Sequence, residues 1–188
     1  MKCRIIKVSV LLLGFFSLHG MGFAQTSGTL KPAAYTEPSP NLSITEYFVE
    51  VAPQYQTLMK ILIASDINAT IQGEGSFTLF APNNASFTDL PYGNVDELLK
   101  PDNYDSLQKI VTFHILPGIY TIPILTKKIK ENAGEFSIQT IGEAADLKFS
   151  LNGADVYVKD AHGNSTKLGA PVVCKNGLIY PLNTILMP

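Results

Sequence analysis

Tryptophan is absent from this 188-residue chain, and cysteine and histidine are scarce, at two and three residues. A zinc site draws most of its ligands from those two residue types, so the scarcity argues against a metal centre, and none is assigned. Positive charge is also limited, with 14 Lys and Arg against 16 Asp and Glu, a formal net charge of −2. That balance offers no basic surface to neutralise phosphates, which disfavours nucleic acid as a partner. It supplies no electrostatic drive onto an anionic membrane either.

A long apolar run is missing too. Lys2, Arg4 and Lys7 precede an apolar stretch from Val8 to Leu18, which Ser17, His19 and Gly20 interrupt before Gly22-Phe23-Ala24. A membrane-spanning helix needs about 20 apolar residues. The pattern instead fits a secretory signal peptide over residues 1–24, cleaved after Ala24, which places the product outside the cytoplasm as a secreted, periplasmic or cell-surface protein. Cleavage removes three basic residues and no acidic one, so the mature chain is the more acidic form, with no integral membrane span. It retains His114, His162 and a single cysteine, Cys174. One cysteine in an oxidising compartment either bridges two chains or is buried. Burial is the reading preferred here, because Cys174 shares a strand face with Val172.

Residues 25–41 are poor in large apolar side chains and carry Pro32, Pro38 and Pro40, the composition of an extended tether. Ser43 and Glu46 then form a capping box for a short helix to Val51, and Pro53 suits the first turn of the next. In that second helix Tyr55, Leu58, Met59, Leu62 and Ile63 make an apolar stripe, the spacing of a helix packed on a core. Val95 to Lys100 reads as helix, as does the segment carrying Leu107, Ile110, Val111 and His114 on one face. Ile119 to Ile122 suits a strand, and Pro123 to Ile129 is ambiguous. Lys127, Lys128 and Lys130 form the main basic cluster, read as a solvated face.

From Glu135 the pattern shifts to alternating strands through Phe149, Val156, Val158, Val172 and Ile179. Asn152-Gly153 and Asn176-Gly177 offer the positive φ of tight turns, and Asp160 to Asn164 is a polar loop. The resulting class is α+β, with helices mainly in the first half packed on a twisted antiparallel β wedge or sandwich built largely from the second. There is no internal repeat.

The stretch TLFAPNNASF, Thr78 to Phe87, reads as a strand that stops and becomes a helical turn. Phe77 and Leu79 alternate with Thr78 and Phe80, Pro82 ends the pairing, and Asn83 or Asn84 can cap a turn that points Phe87 inward. This block resembles the first signature of fasciclin-type domains, Thr-x-Phe-Ala-Pro followed by an Asn-rich turn and Ala-Phe. NGLIYPLNTILMP, Asn176 to Pro188, resembles the closing signature, and LQKIVTFHILPG, Leu107 to Gly118, the helix that carries a Tyr-His pair before Leu-Pro-Gly. The resemblance covers residues 42–188 and marks Thr78, Phe80, Pro82, Asn84, Phe87, Asn176, Gly177 and Asn183 as positions that hold the architecture.

The resemblance implies a non-enzymatic extracellular or cell-envelope adhesion module recognising protein or polysaccharide, expected as a monomer without cofactor. Of the Tyr-His pair linked to receptor binding in some relatives only His114 carries over, and Phe113, His114 and Tyr120 are the candidate binding positions. The Tyr of the Tyr-His pair is Phe113 here, and an Asp-Ile pair linked to integrin binding in animal relatives is Pro171-Val172. Tyr180 and Asn183 stand where His and Asp are usual. An alternative is a small-ligand carrier with an apolar pocket near Tyr55, Phe113, His114 and Tyr120. A third is a hydrolase using His114 as general base, although no Ser, Cys or second His lies nearby in sequence to complete a triad. At His114 the residues also allow a structural role, bonding carbonyls at a helix end. Sequons occur at Asn41, Asn68, Asn84 and Asn164.

Overall fold

Ser43 accepts from the Glu46 N–H at 3.3 Å while a Glu46 carboxylate oxygen accepts from the Ser43 N–H at 2.7 Å. This reciprocal cap satisfies two of the donors that every helix start leaves unpaired, and it opens α1 (Ile44–Glu50). The computed structural model describes residues 39–88, 94–142 and 145–188. The expected signal peptide, most of the expected tether and the Leu90 to Gly93 turn lie outside the described residues. At the last tether positions the Ser39 N–H donates to the Val173 carbonyl at 3.0 Å, and the Lys175 N–H to the Leu42 carbonyl at 2.8 Å.

After α1, Pro53–Tyr55 forms a 3-10 turn that leads into α2 (Gln56–Ala64). Along α2, Leu58, Ile61 and Leu62 are buried, whereas Ile63 is 56% exposed. The stripe expected from spacing is therefore rotated by one position. A helix that the sequence reading lacked, α3 (Ile67–Gln72), follows after Asp66 takes a left-handed φ of 60°. The later helices are α4 (Val95–Leu98), α5 (Tyr104–Phe113) and α6 (Ile122–Glu131).

The first sheet joins β1 (Phe77–Pro82), β2 (Ile115–Pro117), β7 (Val172–Cys174) and β8 (Gly177–Leu182) in the order β2-β1-β8-β7. The second joins β3 (Glu135–Gln139), β4 (Asp146–Asn152), β5 (Asp155–Lys159) and β6 (Ser165–Lys167) as an antiparallel meander. β1 and β8 run parallel, Phe77 opposite Gly177 through Pro82 opposite Leu182, so the first sheet is mixed rather than antiparallel. Strand β2 lies at Ile115–Pro117, and the residues read as strand at Ile119 to Ile122 lead instead into α6. There Thr121 caps the helix, with Pro123 in its first turn.

Every residue of β1 is buried because the strand is covered on both faces. Leu79, Ala81 and Ile179 pack with Tyr47, Phe48 and Leu62 in a helical layer. Phe80, Leu178 and Tyr180 point the other way, onto Phe149, Val158 and Leu125 of the second sheet and α6. Phe80 and Tyr180 are register partners whose rings stack 5.6 Å apart at 19°. Cys174 is buried and free, and burial pushes its thiol up to about 11.

Gly177 is required by a close approach, not by a positive φ. A Cβ there would run into the Phe77 carbonyl and Ile44. Gly153 does carry the positive φ expected of it, at 64°.

Candidate functional site

His114 terminates α5 and is 2% exposed. Nδ1 lies 2.7 Å from the Ile110 carbonyl, and Nε2 accepts from the Leu186 N–H at 2.9 Å. Only the tautomer with the proton on Nδ1 satisfies both bonds. Burial pushes the imidazole down from 6.5 to about 4, against the smaller upward pulls of the Ile110 carbonyl and the Asp160 carboxylate. Neutral and engaged at both nitrogens, the ring has no lone pair to take a proton from a substrate. The general-base role weighed for His114 has no support in this geometry, while the structural alternative matches it.

Asp160 is a member of the same constellation that sequence reasoning left inside a polar loop. It is buried, accepts from the Asn164 N–H at 2.8 Å and side-chain amide at 2.9 Å, and accepts from the Met187 N–H at 3.2 Å. An Asp four residues before an Asn across a Gly is a turn signal, and it was the only local hint.

Phe113 is fully buried and packs with Phe80 and Phe149 in the second core cluster, so neither Phe113 nor His114 presents a side chain to a docking partner. Tyr120 is partly exposed and gives its carbonyl to the Tyr180 hydroxyl at 2.9 Å. Tyr55 belongs to the helical cluster on the other face of the first sheet. The expected apolar pocket would need Tyr55 and Phe113 together, and the sheet separates them.

The architectural positions act through hydrogen bonds. Thr78 donates to the Gly118 carbonyl at 2.8 Å and accepts from the Tyr120 N–H at 3.0 Å, fixing the turn after β2. Asn176 accepts from the Ile44 N–H at 2.9 Å and donates to the Ile71 carbonyl at 2.8 Å, tying the start of α1 to the end of α3. Asn83 supplies the cap of the turn Asn84–Phe87, its Oδ1 accepting from the Ser86 N–H at 3.0 Å. Asn84 instead reaches α2, accepting from the Thr57 N–H and donating to the Pro53 carbonyl. Asn183 accepts from the Asn83 side chain at 2.9 Å, which joins the closing signature block to the first.

Where these two blocks meet, a groove of about 560 Å³ opens on the surface. Ser86 lines it from the first block, Asn183 and Thr184 from the closing block, and Asn164 and Thr166 from the loop and strand near Asp160. A second, shallower shelf runs along α6 beside Pro123, Thr126 and Lys130. On that helix Lys127 pairs with Glu131 at 3.8 Å and Lys128 lies 5.1 Å from the Phe136 ring centre, so two of the three clustered lysines already have partners.

The fasciclin domain family model matches residues 53–188. Protein sll1483 of the cyanobacterium Synechocystis is 31% identical over 188 residues, covering 98% of this chain and 96% of that protein. The cell surface glycolipoprotein MPB83 of Mycobacterium bovis is 31% identical over 146 residues, covering 72% of this chain and 56% of its own length. Among solved structures, a FAS1 domain pair of the insect cell adhesion molecule fasciclin I matches with a TM-score of 0.66 and 18% identity. That match covers 79% of this chain and 52% of the insect one, and at such identity it is a likeness of fold. The chain thus spans about half the length of the mycobacterial and insect proteins. Among the described residues no helix is long and apolar enough to cross a membrane.

Proposed function

Because this chain belongs to the fasciclin domain family, we propose that it is a non-enzymatic binding module of the cell surface or envelope that recognises an extracellular protein or polysaccharide. The observation that carries this reading is the state of His114. The imidazole that the sequence singles out is neutral, buried and bonded at both nitrogens to backbone. The signature asparagines are likewise engaged in holding segments together. What the domain offers a partner is therefore its surface, not a reactive centre.

The relatives support the same setting, since one is by name a cell surface glycolipoprotein and another a cell adhesion molecule. Export by the N-terminal signal over residues 1–24 and action as a monomer complete the proposal. A pull-down from the host's own envelope or matrix with the purified protein tests it. Retention of a defined surface component is the expected result, and failure to retain any would overturn the reading.

A further inference from the structure

The groove between the signature blocks is lined by polar and aliphatic side chains, the exposed His162 among them. An anionic or cationic ligand would find no Lys, Arg, Asp or Glu among its lining residues. Its volume of about 560 Å³ falls within the usual range for small-molecule sites.

Internal hydrogen bonds fix what the lining groups can offer. The Ser86 hydroxyl donates to Asn83 Oδ1 at 3.1 Å, which leaves its lone pairs as acceptors. The Asn164 amide donates one hydrogen to Asp160, which leaves its other N–H to donate and Oδ1 to accept. Asn183 accepts from Asn83 through Oδ1, which leaves both of its amide hydrogens to donate. The Thr166 and Thr184 hydroxyls lie 3.0 Å apart and share one hydrogen bond, so one of them keeps a proton for a ligand. The result is a neutral set of donors and acceptors, oriented before anything binds, with the half-buried Ile185 beside it.

Sugar hydroxyls both donate and accept, and the C–H faces of a sugar ring pack on aliphatic surface. We propose that this groove binds a neutral saccharide unit of an extracellular polysaccharide. The proposal rests on the reading of the chain as a surface binding module, and it names the ligand class and the site. Preorganisation favours such a ligand because the ordering of these side chains precedes binding.

The test uses the full chain, titrated by calorimetry with neutral hexasaccharides of glucose, mannose, galactose and xylose, and with polygalacturonate and chondroitin sulfate as charged controls. Two variants accompany it. Ser165→Arg fills the groove from an exposed position on the edge strand β6, and Thr184→Val removes one of the paired hydroxyls. The expected result is binding of at least one neutral hexasaccharide, weakened roughly tenfold or more by Ser165→Arg, and weakened less by Thr184→Val, with melting temperatures unchanged. Binding confined to the charged polymers, binding undiminished in Ser165→Arg, or no binding of any neutral hexasaccharide would overturn the proposal.

An envelope pull-down with both proteins separates the two levels of the argument. Equal capture of surface material by wild type and Ser165→Arg would remove the groove and leave the binding module standing. Capture by neither would remove both.

Discussion

The backbone N–H of Leu186 donates to Nε2 of His114 across 72 positions of sequence, and the next N–H, of Met187, donates to the carboxylate of Asp160. Two buried polar side chains thus hold successive amides of the segment that follows β8. Removing either acceptor strands a buried donor, which is why these residues matter to the fold without touching a partner.

His114→Ala is expected to lower stability by about 3 kcal/mol, from the lost bonds of the Leu186 N–H and the Ile110 carbonyl and from the cavity left behind. Urea unfolding followed by circular dichroism measures the loss. A change below about 0.5 kcal/mol would contradict the role assigned to the ring.

The same imidazole sets a pH dependence. It protonates near 6.5 in the unfolded chain and near about 4 in the folded one, so the unfolded state binds more protons between those values. Its stabilising contribution is complete above pH 6.5, declines as the pH falls towards 4, and levels off below that. The full change is about 3 kcal/mol. Urea midpoints measured from pH 7.5 to 4 should show this slope in the wild type and a shallower one in His114→Gln.

Gly177→Ala should be among the most damaging single-methyl additions available, costing about 3 kcal/mol or preventing folding, because the new Cβ meets the Phe77 carbonyl in the central strand pair. Gly153→Ala meets no atom within 4 Å and bears only the strain of its φ of 64°, about 1 kcal/mol. Thermal melts of the two variants should differ accordingly, and equal melting temperatures would refute the close-approach argument.

Asn176→Asp keeps an acceptor for the Ile44 N–H but turns a carboxylate towards the Ile71 carbonyl. Asn176→Ala removes both bonds. Both should destabilise, by about 2 kcal/mol or more, with the Asp variant losing further stability as pH rises from 3 to 6 and its carboxyl ionises. Denaturation of the pair at these two pH values checks the sign.

Cys174 should resist a thiol reagent such as dithionitrobenzoate at pH 8 in the native protein, because it is buried and its thiol is pushed up to about 11. In protein lacking residues 1–24, and with them Cys3, unfolding in urea should expose one reactive thiol. Rapid labelling of the native protein would show that the strand face is open.

Local patterns carried much of the architecture into the sequence. Ser43 and Glu46, the alternation around Phe149 and Val158, and the TLFAPNNASF break are each decided within a few residues by side-chain spacing or capping chemistry. The helix at Ile67 was hidden because its entry depends on a left-handed Asp66, a conformation that no neighbouring residue announces. Ile119 and Ile122 suggested a strand by their branching, while Thr121 and Pro123 held the helix-start signal that tertiary packing followed. The parallel partnership of β1 and β8 and the reason for Gly177 both involve backbone brought together from about 100 positions apart, beyond the reach of local pattern. The groove was equally out of sight, since its polar residues come from three separate segments that only the folded chain brings side by side.

The β1 to β8 pairing also governs when the protein can fold. The two innermost strands are 100 positions apart, so the central sheet has nothing to close on until β8 has followed β1 out of the ribosome. Its folding is a late, long-range event with a large loop to close.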